Sequence, residues 1–162
     1  MCIRDSNSLA RYFVFPIGSS WCGLFYAGQC ESQRSEDHSM KQYDCIFLDR
    51  DGTLNSDPGY INSLDDFIFF DNTLPSLKKM AGAGNRFCIV TNQSGINRGL
   101  IQFDDLDEIH SFIEQEFKKN GIPLLGIYVC TDHPEQATER RKPGPGMFLE
   151  DEMDNGLILN DS

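Results

Sequence analysis

The sequence predicts an α/β fold, an open parallel sheet with helices wound between its strands. Apolar runs at Cys45–Leu48 and Arg86–Asn92 read as strands buried in a parallel sheet, and a third strand follows at Leu125–Cys130. Segments of helical periodicity separate them, and strand, helix, strand, helix, strand with right-handed crossovers builds such a sheet. In sheets of this kind ligands sit beyond the carboxyl ends of the strands. The residues that follow each apolar run therefore carry the functional expectation.

The chain opens on a segment unlike the rest. Met1-Cys2-Ile3-Arg4-Asp5-Ser6 matches the translation of a transposon-end sequencing adapter, and Asn7 to Ser39 then corresponds to DNA upstream of a gene whose natural start is Met40. Arg11 followed by the apolar stretch from Tyr12 to Gln29 also fits a signal peptide, although Pro16, Gly18, Ser19 and Ser20 interrupt it. Gln33 to Ser39 is polar and linker-like. The expected division is a leader over 1–39 and a single domain over 40–162.

The first apolar run ends abruptly in Asp49-Arg50-Asp51-Gly52-Thr53. Residues i and i+2 of a strand share a side, so both carboxylates can reach one phosphorus or one metal while Gly52 turns the chain away. A carboxylate nucleophile can take a phosphoryl group as an acyl phosphate, and a second carboxyl can protonate the leaving oxygen and later deprotonate water. On that chemistry Asp49 attacks and Asp51 shuttles the proton. An Asp-Gly turn closing a buried strand produces the same letters, so the other strand ends decide.

Asp57-Pro58-Gly59-Tyr60 is turn chemistry, and Thr73 to Ala83 predicts a helix with Thr73 as N-cap. Leu74, Leu77, Met80 and Ala81 share one face of it, and Gly82 or Gly84 stops it. The second strand runs into Thr91-Asn92-Gln93-Ser94-Gly95, which brings a hydroxyl and amides to the same edge. Phe103 to Asn120 is an amphipathic helix with Leu106, Ile109, Ile113 and Phe117 on its apolar face, acidic residues in its first turn and Gly121 as its cap. After the third strand a loop leads to Arg140-Arg141-Lys142-Pro143-Gly144-Pro145-Gly146, and Met147 to Asn155 forms a last helix.

A net charge of −11 argues against a nucleic-acid-binding surface, and the 14 Lys and Arg form no long basic block. An anionic substrate must therefore find its positive charge locally. No uninterrupted apolar stretch approaches the roughly 20 residues of a membrane span. The six cysteines lack the dense spacing of a disulfide scaffold. Cys45 and Cys88 fall inside strands as reduced core residues, while a Cys22–Cys30 disulfide stays open.

Together these strand ends resemble the haloacid dehalogenase superfamily of aspartyl-phosphate-forming phosphatases, and within it the heptose bisphosphate phosphatases and the related histidinol-phosphatase domains. The resemblance is carried by Asp49 to Thr53, Asp57 to Tyr60, Thr91 to Gly95 and Arg141 to Met147, and it covers Met40 to Ser162. It implies a three-layer Rossmannoid fold without a large cap domain. It implies Asp49 as nucleophile, Asp51 as general acid and base, and Thr91 and Lys142 on the transferring phosphoryl oxygens. Mg²⁺ is implied on the Asp49 carboxylate and the Asp51 main-chain carbonyl, with substrate contacts from Asp57, Gly59, Tyr60, Asn92, Gln93, Ser94 and Arg141. The implied enzyme is a cytoplasmic monomer acting on a small phosphorylated metabolite such as a sugar bisphosphate, with no nucleic-acid or membrane partner.

The sequence departs from this pattern in two places. Many relatives hold a structural Zn²⁺ before the lysine motif with paired Cys and His residues. Here Cys130 and His133 are followed by no cysteine before Lys142, short of the four ligands such a site takes, so a shortened, zinc-free loop is expected. The family pattern also continues into a strand ending in Gly-Asp that completes the Mg²⁺ site, whereas this chain stops at Leu157 to Ser162. Asp151, Asp154 and Asp161 are poor substitutes, on a helix or in a connecting loop. The chain thus reads as a phosphatase fragment lacking its C-terminal strands, with a catalytically dead phosphate-binding module as the alternative.

Overall fold

The computed structural model describes residues 41–159 together with the backbone of β1 (Cys2–Ile3) and β2 (Tyr12–Phe13), which pair antiparallel. Apart from that ribbon, the adapter-like start, the signal-peptide alternative and the Cys22–Cys30 pair lie outside the described residues.

The core sheet is parallel, in the order β3 (Ile46–Leu48), β4 (Phe87–Asn92), β5 (Leu124–Cys130). Parallel neighbours need a crossover connection. Helix α1 (Thr73–Gly82) lies between β3 and β4 in the chain, α2 (Phe103–Lys119) lies between β4 and β5, and α3 (Gly146–Asn155) follows. Strand alternation sorts the core into two layers. Ile46, Leu48, Phe87 and Ile89 pack with Leu77 of α1 and with Ile109, Ile113 and Phe117 of α2. Cys45, Phe47, Cys88 and Val90 point the other way and pack with Met147 and Phe148 of α3. Helices therefore cover both faces of the sheet, the three-layer α/β arrangement that the apolar runs predict. Each fully buried Val, Leu, Ile, Phe or Met among them contributes about 1.5–3 kcal/mol.

The expected apolar stripe of α2 is buried in full, at Leu106, Ile109, Ile113 and Phe117. Asp104 and Asp105 in its first turn and Lys118 and Lys119 in its last suit the helix dipole, and Gly121 follows at φ +69°. Helix α1 differs from expectation at its start. Asn72 occupies the cap position without a side-chain bond, and Thr73 is the first helical residue. The Thr73 hydroxyl donates instead to the Leu54 carbonyl at 2.8 Å. A buried acceptor nineteen residues back wins over local capping and ties the helix to the loop after β3.

Cys45, Cys88 and Cys130 are buried free thiols. Asp151 is fully buried on α3, with Cys45 Sγ 3.9 Å from one carboxylate oxygen and Asn155 donating to the other at 2.6 Å. Burial pushes its pKa up. It lies on the face of the sheet that α3 covers, beside Cys45. Among the described residues no helix is long and apolar enough to cross a membrane.

Candidate active site

Strand β3 ends at Leu48, and the chain turns at Gly52, whose φ of +74° is the left-handed conformation that glycine adopts without strain. The Arg50 carbonyl accepts from the amides of Thr53 and Leu54, which tightens the turn. Beyond the ends of β3 and β4 lies an open cavity of about 370 Å³. Asp49 and Asp51 line one side of it; Thr91, Asn92, Gln93, Ser94 and Gly95 line another, and Asp57, Gly59 and Tyr60 complete the rim. Of the expected site residues, only Arg141 and Lys142 are not part of this lining.

Lys142 nevertheless reaches the centre. Its Nζ lies 2.8 Å from Asp49 Oδ2 and donates to the Val90 carbonyl at 2.7 Å. Its side chain is 15% exposed, so the ammonium is held against the Asp49 carboxylate within a mostly desolvated setting. The Asn92 side chain holds the lysine's backbone from both sides. Lys142 N donates to Asn92 Oδ1 at 3.1 Å, and Asn92 Nδ2 donates to the Lys142 carbonyl at 3.2 Å. Asn92, expected as a substrate contact, thus docks the Lys142 loop on the end of β4. The other oxygen of Asp49 accepts from the Arg50 amide at 2.8 Å.

Asp51 is held more elaborately. Arg50, fully buried, grips it as a fork, Nε to Oδ1 at 2.9 Å and Nη2 to Oδ2 at 2.8 Å. Asn55 Nδ2 adds a second donor on Oδ1 at 3.1 Å, and Gln93 Nε2 a second on Oδ2 at 2.7 Å. Burial alone raises the Asp51 pKa, but the Arg50 hydrogen bonds and charge, with Asn55 and Gln93, outweigh it and hold the carboxyl below the usual carboxylate range. The same Gln93 nitrogen donates to Thr91 Oγ1 at 2.9 Å. Thr91 therefore uses its oxygen as acceptor and keeps its proton for a ligand oxygen.

Three participants escape the sequence reading. Arg50 looks like a spacer between two aspartates, and Asn55 like a turn residue. His110 lies on α2, its Nε2 3.4 Å from Arg50 Nη1. The signal for His110 was a polar residue beside the apolar stripe of an otherwise regular amphipathic helix. Conversely, Arg141 is not among the lining residues, and its Nη1 donates to the Asp132 carbonyl at 2.8 Å. Asp57 Oδ1 accepts from Gly59 N at 2.9 Å and so shapes the turn that presents Tyr60. Cys130 is buried at the end of β5, while His133 caps the short Pro134–Gln136 helix by accepting from Glu135 N at 3.3 Å.

Comparison with known proteins places this geometry. The polynucleotide kinase 3 phosphatase family model matches residues 44–160. The D-glycero-beta-D-manno-heptose-1,7-bisphosphate 7-phosphatase of Helicobacter pylori is 36% identical over 124 residues, 76% of this chain and 72% of that one. The chain belongs to the heptose 1,7-bisphosphate 7-phosphatase family of haloacid dehalogenase-like phosphatases. The Photorhabdus laumondii member is 38% identical over 112 residues, 65% of this chain and 60% of its own length. The crystal structure of the B. bronchiseptica D,D-heptose 1,7-bisphosphate phosphatase, complexed with magnesium and phosphate, superposes with a TM-score of 0.64 at 30% identity, covering 70% of this chain and 64% of that one. The chain thus spans about 60% of the length of the first curated relatives it matches.

The donors at this site suit the Mg²⁺ associated with that family member. The Asp49 carboxylate and the Asp51 main-chain carbonyl are hard oxygen donors, the type Mg²⁺ takes alongside phosphate oxygens and retained waters. Each Asp49 oxygen has one protein donor, Lys142 Nζ or Arg50 N, which leaves a lone pair on each.

Proposed function

We propose that the chain carries the catalytic core of a phosphomonoester hydrolase that works through an aspartyl phosphate, with D-glycero-D-manno-heptose 1,7-bisphosphate as substrate at its 7-phosphate. The observation that carries this reading is the convergence on one cavity of Asp49, the Lys142 ammonium 2.8 Å from it, the Thr91 hydroxyl and the Asp51 carboxylate. An ammonium and a hydroxyl beside a carboxylate nucleophile are what a transferring phosphoryl group, with its negative charge spread over three oxygens, needs.

In the first half-reaction an Asp49 oxygen attacks phosphorus, the ester P–O bond breaks, and the departing oxygen takes a proton from Asp51. In the second, water attacks the acyl phosphate, Asp51 takes its proton, and Asp49 is released with inorganic phosphate. Lys142 and Thr91 stabilise the phosphoryl oxygens throughout. Mg²⁺ on Asp49 and the Asp51 carbonyl supplies charge neutralisation when bound. The Arg50-bound Asp51 is ionised at rest, which matches the base half of the cycle. The acid half requires Asp51 to take up a proton from solvent as the dianionic substrate binds, with one of its protein donors giving way to the leaving oxygen. The proton gained from water in the second half-reaction restores that protonated state.

The net charge of −11 disfavours a 3′-phosphorylated nucleic acid as substrate. The reading carries with it a cytoplasmic, monomeric protein without a structural zinc ion. Its test is Mg²⁺-dependent phosphate release by the full chain from heptose bisphosphate, histidinol phosphate and a 3′-phosphorylated oligonucleotide in parallel. Heptose bisphosphate is expected to be preferred, and Asp49→Asn to lower turnover by about 10³-fold or more. Undiminished turnover by Asp49→Asn overturns the nucleophile assignment. Preference for histidinol phosphate moves the substrate to the sister class, and a phosphate-dependent thermal shift without turnover makes the chain a binding module.

A further inference from the structure

His110 lies outside every motif segment, yet it touches the charge network of the site. Arginine carries donors only, so in the Arg50 Nη1 to His110 Nε2 contact of 3.4 Å the imidazole must accept. His110 is then neutral, with its proton on Nδ1. Burial, reinforced by the Arg50 charge, keeps it so by pulling its pKa down to about 4. The three outward-facing nitrogens of Arg50 are thereby all assigned: Nε and Nη2 to the two oxygens of Asp51, and Nη1 to α2. The fork alone fixes Arg50 to Asp51, two neighbours on one turn. The third contact fixes both to a helix whose flanking Ile109 and Ile113 are fully buried in the core.

We infer that His110 is a positioning residue: by holding Arg50 from α2 it sets the orientation of the Asp51 carboxylate toward the cavity. The catalytic half of this inference rests on Asp51 being the acid and base group. The geometric half does not. Asp51 Oδ2 also meets Gln93, whose amide touches Thr91. A tilt of the guanidinium therefore disturbs the acid and base group together with a phosphoryl-binding hydroxyl.

The test uses the full ¹⁵N-labelled chain and its His110→Ala and His110→Gln variants. The chain has 3 histidines, so the variants identify the His110 ring signals. At neutral pH, Nε2 is expected to be unprotonated and Nδ1 protonated, with the Arg50 Nε proton resolved and slow to exchange. In His110→Ala that proton is expected to exchange about tenfold faster, and in His110→Gln, whose amide oxygen can accept from Nη1, to return toward wild type. With Mg²⁺ and a phosphate monoester, His110→Ala is expected to lower kcat about tenfold at nearly unchanged KM, a fraction of the 10²–10⁴ typical of acid–base groups, and Gln to restore it. The opposite tautomer, or an Arg50 Nε proton indifferent to the Ala variant, overturns the inference. So does a wild-type kcat in His110→Ala. A wild-type chain without turnover counts against the phosphatase reading alone, because the NMR arm still decides whether His110 holds Arg50.

Discussion

Replacing Arg50 with Met separates the energetic role of the Arg50–Asp51 pair from its catalytic one. Methionine is a long unbranched side chain that lacks the charge and all three hydrogen bonds, two to Asp51 at 2.9 and 2.8 Å and one to His110 at 3.4 Å. The Arg50 side chain is 1% exposed and that of Asp51 19%, so solvent screening does little to soften the loss. Breaking such a pair from one side leaves an uncompensated carboxylate and costs about 3–5 kcal/mol. The cost depends on pH. In the wild type the folded pKa of Asp51 lies below its unfolded value. The pair's contribution is therefore fully present above the ordinary carboxylate pKa and fades as pH falls through the depressed folded value. In the Met variant burial acts with only Asn55 and Gln93 to oppose it, the Asp51 pKa moves up, and protonation relieves the variant first. Urea unfolding followed by far-ultraviolet circular dichroism at pH 7 and at about pH 3 measures both terms. The expected result is a deficit of about 3–5 kcal/mol at neutral pH that narrows in acid. A deficit below about 1 kcal/mol at pH 7, the worth of an exposed pair, or one that does not change with pH, refutes the argument.

Asn92→Ala removes both bonds between β4 and the Lys142 backbone, at 3.1 and 3.2 Å. A stability loss of about 2 kcal/mol follows at roughly 1 kcal/mol per bond, and calorimetric phosphate affinity in Mg²⁺ should fall severalfold; unchanged affinity means that Lys142 is positioned without Asn92. At Gly95 an added Cβ lies 2.7 Å from Ile101 Cδ1 and 2.8 Å from Tyr60 Cδ1. Gly95→Ala should therefore displace Tyr60 and raise KM severalfold while lowering the thermal midpoint, since Ile101 is buried and its Cγ1 also lies 2.9 Å away; a lowered kcat with wild-type KM contradicts this.

The layered core was legible because it depends on periodicity. The uniform burial of Ile46–Leu48 and Phe87–Val90 and the stripe Leu106, Ile109, Ile113, Phe117 are local patterns with one low-energy way to be buried. The helix start at Thr73 was misread for the converse reason. Its hydroxyl has a local use as a cap and a distant one on Leu54, and the distant acceptor is invisible until the loop folds back. Asn92 and Arg141 were similarly ambiguous. Both sit in motif segments, but the structure turns one onto the Lys142 backbone and the other onto Asp132.

By itself, the sequence determined the class of chemistry at this site: two carboxylates after one strand, a hydroxyl and amides after the next, and a lysine ahead of the last helix. Residue types and their order along the chain suffice for that, because a parallel sheet delivers strand ends to one edge. Only the tertiary structure decided which donors those carboxylates receive. Asp49 takes Lys142 from ninety-three positions along the chain, and Asp51 takes Arg50, Asn55 and Gln93, with His110 behind Arg50. Hydrogen bonds act over about 3 Å in space, and spacing along the chain does not reveal which polar groups the fold will bring within that reach.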